Sequence, residues 1–396
     1  MKKIFTSRKQ KQRVDMKKVL ILGCNGITDF IVPEVMKLGT VDEIIIASKD
    51  KAECDELRKK YTGKGARITT ARVDLDNEQG TKMMLSITNP DLIVSLVPEE
   101  LSSKVMNLAL STGADYIDSA LYNWDDGDLL SEQFKMFGEF RDAGKMAVTG
   151  CGMNPAILTT LARVAIRDDF DNVTGVDAVE INLSSKNPAD GDAFMVVDGE
   201  KKVMRAGSER FDLDDEFGEF AGKKLYLTSS PVTQDFLKEI PGVTNVGCYA
   251  SCEAEEEPDY TEELTKLGML SEEPVEVLPG VKISPREFWD KYRASLKKES
   301  ELIGKCGAGV ILSGRQHGED KSEFVYFTGD NDECADKYGM PGVKLFDAYA
   351  VLSGITLICN GRWLKSGVFT PAAFEPDLFL TALRNAGLVV NTKKLS

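Results

Sequence analysis

Apolar runs alternate with amphipathic stretches through the first 150 residues of the chain. The runs at 18–23, 43–48, 67–73, 91–97, 115–118 and 146–149 predict strands. Apolar positions recurring every three or four residues predict helices at 51–61, 77–87, 101–112, 129–143 and 154–166. Asn89–Asp91 and Thr112–Asp115 carry turn chemistry at helix ends. Such alternation implies an α/β fold, a parallel sheet covered by helices on both faces. The pattern then changes. Val179–Leu183 alternates apolar and polar, as a sheet with one wet face does, and Gly309–Ser313 with Glu323–Thr328 reads as a hairpin. A second, α+β domain is expected there. Residues 342–359 return to a helical apolar pattern, and a last helix follows Glu375–Asp377. No apolar run reaches membrane-spanning length, so no membrane partner is expected.

The segment Val19–Asp29 joins an apolar strand to a glycine turn and a helix, and Ile44–Ser48 is the next strand. Strand, glycine turn, helix and strand form the opening unit of a dinucleotide-binding fold. The turn must be tight, and its backbone must lie against a pyrophosphate at a helix start. The spacing departs from Gly-x-Gly-x-x-Gly: the three positions hold Gly23, Asn25 and Thr28, with Gly26 between them. Asp29 would compete with phosphate for the helix field, and Pro33 removes a helix bond, so the helix is expected to start late or bend. Gly23, Asn25, Gly26 and Ile27 are the expected pyrophosphate contacts. A parallel sheet without cofactor is the alternative.

Length fits two domains, and an apolar share of 42% fits a globular chain. Residues 1–15 read as a basic disordered tail without the apolar core of an export signal. A net charge of −15 argues against nucleic acid as a partner. Eight scattered cysteines and a single histidine, His317, show no metal-ligand spacing, so no metal is expected. Free thiols point to the cytoplasm. The acidic run Cys252–Asp259 reads as a solvated loop, and His317 as an exposed hairpin residue.

Ligands of open α/β sheets lie beyond the carboxyl ends of the strands. The second strand ends in Ser48 and Lys49, which suit the 2′-phosphate of NADP, while Asp50 keeps NAD open. The fourth ends in Ser95–Pro98, which places Leu96, Val97 and Pro98 beside the nicotinamide. Asp118 closes the fifth, either for proton transfer or as a cap. Thr149–Ala156 is a second glycine turn: Asn154 is expected to cap the next helix with Pro155 at its first position. Cys151, Gly152 and Asn154 would floor the pocket where substrate meets cofactor. Arg205 is offered for a substrate carboxylate, with a surface arginine as the alternative.

These pieces resemble the saccharopine dehydrogenase family, most closely its polyamine branch, the carboxynorspermidine dehydrogenases. The resemblance runs through Ile46–Lys49, Asn89–Ile93, Gly113–Asp118, Gly150–Pro155, Leu267–Ser271, Glu273–Val277, Ile283–Pro285, Gly361–Trp363, Ser366–Val368 and Phe374–Asp377. It implies a Rossmann-type domain of residues 16–150 plus 341–396, interrupted by an α+β substrate and dimerisation domain of residues 151–340. It also implies a homodimer that transfers hydride between NADPH and a carbon–nitrogen centre. In the polyamine branch, the imine of an amino-acid semialdehyde and a diamine is reduced to a secondary amine. Saccharopine chemistry in lysine metabolism, or a relative that kept the fold without catalysis, are the alternatives. The chain departs from the family at Asn25, Thr28 and Asp29, at Asn154–Ala156 where Asp-Pro-Gly is common, and at Asp347–Ala350 where the polyamine branch carries a Thr-Gly-x-Pro-like stretch.

Overall fold

A computed structural model describes residues 18–61, 65–121, 131–184, 192–208, 210–213, 215–251, 261–296 and 302–395. The basic tail and the acidic run at 252–259 lie outside these residues. The first six strands follow the apolar runs closely: β1 (Lys18–Leu22), β2 (Glu43–Ser48), β3 (Arg67–Arg72), β4 (Leu92–Ser95), β5 (Asp115–Asp118) and β6 (Met146–Val148). Five helices alternate with them: α1 (Gly26–Val35), α2 (Lys51–Lys60), α3 (Glu78–Thr88), α4 (Ser102–Thr112) and α5 (Phe137–Asp142).

After α6 (Leu158–Asp169) the chain builds a second sheet. Its strands are β7 (Asn172–Ile181), β8 (Asp192–Val197), β9 (Glu200–Arg205), β10 (Arg210–Asp212), β11 (Lys224–Leu227) and β12 (Asn245–Ser251), with α7 (Pro231–Glu239) before the last. An excursion follows: α8 (Thr261–Lys266), the ribbon β13 (Val275–Leu278) and β14 (Val281–Ile283), and α9 (Pro285–Leu296). The long hairpin β15 (Lys305–Gln316) and β16 (Glu319–Asp330) leads into α10 (Asn331–Tyr338) and α11 (Gly342–Cys359). The chain ends with β17 (Gly367–Phe369), α12 (Pro376–Ala386) and β18 (Asn391–Lys394).

The first sheet is parallel throughout, in the order β17-β6-β5-β4-β1-β2-β3. Its strands reverse direction of travel at β1/β4, the switch point where a crevice opens beyond the carboxyl ends. The second sheet is mixed, in the order β10-β11-β12-β7-β15-β16-β18, with the β8–β9 ribbon branching from β12. A Rossmann-type sheet followed by a mixed sheet is thus the architecture.

The expected return of the C-terminal segment needs one change. β17 completes the parallel sheet, but β18 pairs with β16 in the second. The last strand is therefore shared out by its hydrogen-bonding edge, not by the domain that precedes it.

α11 ties the two sheets together. At Gly354 it lies so close to β5 and the second glycine turn that a Cβ would stand 2.5 Å from Ile117 Cδ1 and 2.9 Å from Cys151 Sγ. At Gly342 the same helix presses on Cys306 of β15, 2.4 Å from the position of a Cβ. One buried cluster consequently runs from Val19 and Ile21 of the first sheet to Val310 and Leu312 of the second. By length and composition alone α11 could cross a membrane, but 72% of it is buried inside the protein, as a core helix is.

Candidate active site

Two glycine turns face the crevice. In the first, Gly23 has φ +114, and a Cβ there would stand 2.7 Å from Leu96 O, so no larger residue fits between β1 and β4. Asn25 caps α1: its Oδ1 accepts from Thr28 N at 3.2 Å and its Nδ2 donates to Leu96 O at 3.2 Å. The Thr28 hydroxyl turns inward and donates to Gly23 O at 2.9 Å. These two residues close a capping box, so the side chains that replace glycine brace the turn from within. The N–H groups of Gly26 and Ile27, the first two helical positions, have no acceptor inside the helix.

Asp29 points away from that opening. Lys60 Nζ reaches its carboxylate at 2.7 Å and the Tyr61 hydroxyl donates to it at 2.8 Å. The same hydroxyl oxygen lies 3.2 Å from Asp29 O. That carbonyl is the one Pro33, four residues on, cannot satisfy. The expected late start of α1 is therefore corrected. The helix begins at Gly26 and carries Pro33 inside, with Tyr61 Oη beside the carbonyl that Pro33 leaves without its helical donor.

At the end of β2, Ser48 Oγ donates to Asp50 O, and the Asp50 carboxylate caps α2 by accepting from Ala52 N at 2.8 Å. A carboxylate that could read free ribose hydroxyls is thereby committed to a helix. Lys49 is mostly exposed and stands 3.6 Å from Asp74 and 3.7 Å from Asp76. Leu96 is buried under the first turn, Val97 is half-buried, and Pro98 is exposed at the rim.

In the second turn Asp118 is the organiser. Its Oδ1 accepts from Gly150 N and Thr149 Oγ1, each at 2.9 Å. Its Oδ2 accepts from Tyr116 Oη at 2.7 Å and Gln133 Nε2 at 3.1 Å. Burial raises its pKa, and these four donors oppose the shift. With both oxygens engaged, Asp118 holds the turn in place and has no free lone pair aimed at a ligand, so its expected catalytic role is replaced by a positioning one. Cys151 is fully buried behind α11, donates to Ala350 O at 3.3 Å, and has its thiol pushed well up by burial. It is a packing residue and not part of the crevice wall. Gly152 is required by contact: a Cβ would stand 2.3 Å from Ser119 O and 2.8 Å from Asp347 Oδ1.

Asn154 also departs from expectation. It precedes a cis proline, its backbone is extended (φ −116, ψ 121), and it caps no helix. A residue before proline is steered out of the helical region. Its side chain instead crosses to the second sheet, where Nδ2 donates to Glu180 Oε1 and to Ser230 Oγ, the latter at 2.6 Å. Asn154 Oδ1 is buried and accepts nothing. Asp347 of α11 completes the group, accepting from Met153 N at 2.9 Å with Lys344 Nζ 3.7 Å away. Burial raises both Glu180 and Asp347, and the negative charge of Asp347 raises Glu180 further. Among the described residues no lysine or arginine pairs with Glu180.

The structure thus brings Asn154 together with Glu180, Ser230 and Asp347, three residues not singled out from the sequence. Glu180 had one signal, its polar place in the Val179–Leu183 alternation. Asp347 had another, as the departure that opens Asp347–Ala350. Ser230 had none beyond standing before Pro231. Arg205 is not brought to this group. It is exposed at the end of β9, across from Asp192 on β8. His317 is exposed in the hairpin turn. No group of three or more His, Cys, Asp or Glu side chains placed to hold a metal is present among the described residues.

Residues 19–148 match the saccharopine dehydrogenase NADP binding domain. The chain is 24% identical to the carboxyaminopropylagmatine dehydrogenase of Synechocystis sp., over 94% of this chain and 96% of that protein. It is 20% identical to the carboxynorspermidine synthase of Vibrio alginolyticus, over 95% and 97%. Among solved structures, apo saccharopine dehydrogenase (L-Glu forming) from Saccharomyces cerevisiae superposes with a TM-score of 0.66 at 14% identity, covering 96% of this chain and 100% of that one. That last likeness speaks to the fold. Residues 19–148 thus carry the match to the saccharopine dehydrogenase NADP binding domain, and the chain is an oxidoreductase similar over nearly its whole length to these two relatives.

Proposed function

We propose that this enzyme reduces the imine formed by an amino-acid semialdehyde and a diamine, giving a carboxylated secondary amine. The observation that carries the reading is the half-buried acidic pair Glu180 and Asp347 beside the second glycine turn, with no lysine or arginine paired to Glu180 among the described residues. Such a site suits a nitrogen that becomes positive. The names of the two relatives above support the same substrate class.

The open N–H groups of Gly26 and Ile27, with Gly23 and Asn25 shaping the turn, would hold the pyrophosphate of NADP. Ser48 and Lys49 would take its 2′-phosphate, and Leu96, Val97 and Pro98 would line its nicotinamide end. NADPH supplies a hydride when bound. Burial and the nearby Asp347 charge raise the pKa of Glu180, which favours a carboxyl able to give up a proton there. On substrate binding that proton passes to the imine nitrogen, and the carboxylate left behind is the counter-charge of the iminium. Asn154 orients Glu180, Ser230 fixes Asn154, and Asp347 holds the turn at Met153. Orientation in a water-poor crevice supplies much of the remaining rate.

A homodimer is part of the proposal. The excursion from α8 to α9 exposes Leu267, Val275, Leu278 and Phe288, and its ribbon is exposed on both faces. A two-stranded ribbon is marginal alone and needs a covering surface. Free thiols at the seven described cysteines fit a cytoplasmic enzyme.

The test is NADPH oxidation with aspartate semialdehyde plus 1,3-diaminopropane, putrescine or agmatine, beside the reverse reaction with saccharopine and NADP. Turnover with a diamine and none with saccharopine is expected. The opposite result would move the enzyme to lysine metabolism, and no turnover with either would leave a binding protein.

A further inference from the structure

A second recess lies beside the crevice, at the carboxyl ends of β5 and β17. Ser131 and Phe134, from the turn that follows β5, form one wall, and Thr370, just past β17, forms another. Pro231, Gln234, Asp235 and Lys238 on one face of α7 close it. This is the side of a parallel sheet on which ligands bind. The turn is tied to the Asp118 network, since Gln133 Nε2 donates to Asp118 Oδ2 and to Ala120 O.

The recess contains unmet polar groups. Asp235 is 5% exposed, and its Oδ1 accepts from Thr370 Oγ1 at 3.2 Å while Oδ2 accepts nothing. Ser131 is 2% exposed, and its Oγ has no partner. Thr159 stands beside Asp235, but its hydroxyl closes no hydrogen bond. The nearest cation is held at the rim: Lys238 Nζ lies over the Phe134 ring at 5.3 Å and 3.3 Å from Glu239 Oε1. An orphaned carboxylate oxygen accepts only, so its complement is a donor. The free space is about 20 Å³. That admits one group the size of a water molecule. An ammonium group has that size, three donors and the opposite charge.

We propose that this recess is a subsite for a primary ammonium group, held between Asp235 Oδ2 and Ser131 Oγ, and that it takes the free end of the diamine. The assignment to the diamine rests on the imine-reducing function proposed above. α7 supports the spacing. Ser230, which bonds Asn154, and Asp235 lie five residues apart, about 7–8 Å along a helix at 1.5 Å per residue. A short alkyl chain spans that distance between the reacting nitrogen and the terminal one.

The experiment is calorimetric titration of the full chain with 1,3-diaminopropane, with uncharged 1,3-propanediol as control, on the wild type, Asp235→Asn and Ser131→Ala. NADPH affinity and melting temperature are read on the same samples. Asp235→Asn keeps the shape and removes an unpaired buried charge, so it should fold with a melting temperature at or above that of the wild type. Amine affinity should fall at least tenfold in Asp235→Asn and about threefold in Ser131→Ala, with NADPH affinity unchanged. In turnover, the KM for the diamine should rise by the same factors with kcat within twofold. A folded Asp235→Asn that keeps the wild-type amine affinity and KM overturns the subsite, as does equal binding of diol and diamine. Failure of any imine to turn over would strike the proposed function alone, and the direct titration would still decide the subsite.

Discussion

The two glycine turns solve the same geometric problem with different partners. In the first, Asn25 and Thr28 bond each other three residues apart, and the one carboxylate, Asp29, is neutralised by Lys60 and shielded by Tyr61. In the second, the partners come from far along the chain: Asn154 meets Glu180 at a separation of 26 residues and Ser230 at 76, and Met153 meets Asp347 at 194. The first turn is complete within its own domain, which suits the binding of a cofactor common to many reactions. The second exists only when both sheets and α11 are docked, and its carboxylates Glu180 and Asp347 stay half-buried without full compensation. Stability has been given up there, as is usual where acids are tuned for chemistry.

Breaking the second turn should have the largest effect. Glu180→Gln keeps its bond to Asn154 and loses the transferable proton. Turnover should fall about 100- to 1,000-fold, within the range for removal of a general acid. NADPH affinity should not change, and the alkaline limb of the pH–rate profile should vanish. Stopped-flow NADPH oxidation across pH measures both. A fall confined to KM would assign Glu180 to binding instead.

Acid–base linkage separates the two regions next. Asp177 on β7 and Asp235 on α7, both past the first sheet's β6, are pushed up to about 6 by burial. Their folded values lie above the unfolded value of 3.8, so the folded state holds more protons between these limits. Their stabilising contribution is complete below about pH 4 and is lost as pH rises through 6. Together they should make the protein about 1–3 kcal/mol less stable at pH 7.5 than at pH 5. Melting curves across pH check the slope, and Asp235→Asn should flatten it. Below pH 4 the trend reverses, because exposed Asp55, Asp168 and Asp377 are lowered by their Lys51 and Arg167 partners. A melting temperature that rises from pH 5 to 7.5 would contradict the burial of these acids.

The smallest effect belongs to the first turn's rim. Lys49 is exposed and already shares its charge with Asp74 and Asp76. Lys49→Ala should weaken NADPH binding about three- to tenfold, in keeping with an exposed charge pair. NADH binding should hardly move. Fluorescence titration with both cofactors decides this, and equal losses would remove Lys49 from 2′-phosphate recognition.

Much of the fold could be read from the chain because its causes are local. A run such as Ile44–Ala47 must leave water, and a buried strand between helices accepts a continuous apolar run. The first turn was legible as a turn, though the orientation of Asp29 was not, since Lys60 and Tyr61 arrive from the far end of α2. Of the expected second-turn residues, Asn154 is the one whose side chain reaches Glu180 and Ser230. Asp118 and Cys151 stood in the expected places but proved to be a scaffold residue and a packing residue, because hydrogen-bond saturation and depth are properties of the docked structure. Glu180 looked like one polar position in an alternating strand.

By itself the order of apolar and polar residues determined the parallel sheet, its helices and the change to a second, mixed sheet. Those follow from burial and backbone hydrogen bonding, which act over a few neighbouring residues. Tertiary structure alone decided which carboxylates are solvated, which are spent on holding a turn, and which stand sheltered from water beside the crevice and its neighbouring recess. Desolvation and charge pairing depend on distance in space, and residues 180, 235 and 347 share that space only after α7, α11 and the second sheet have closed against the first.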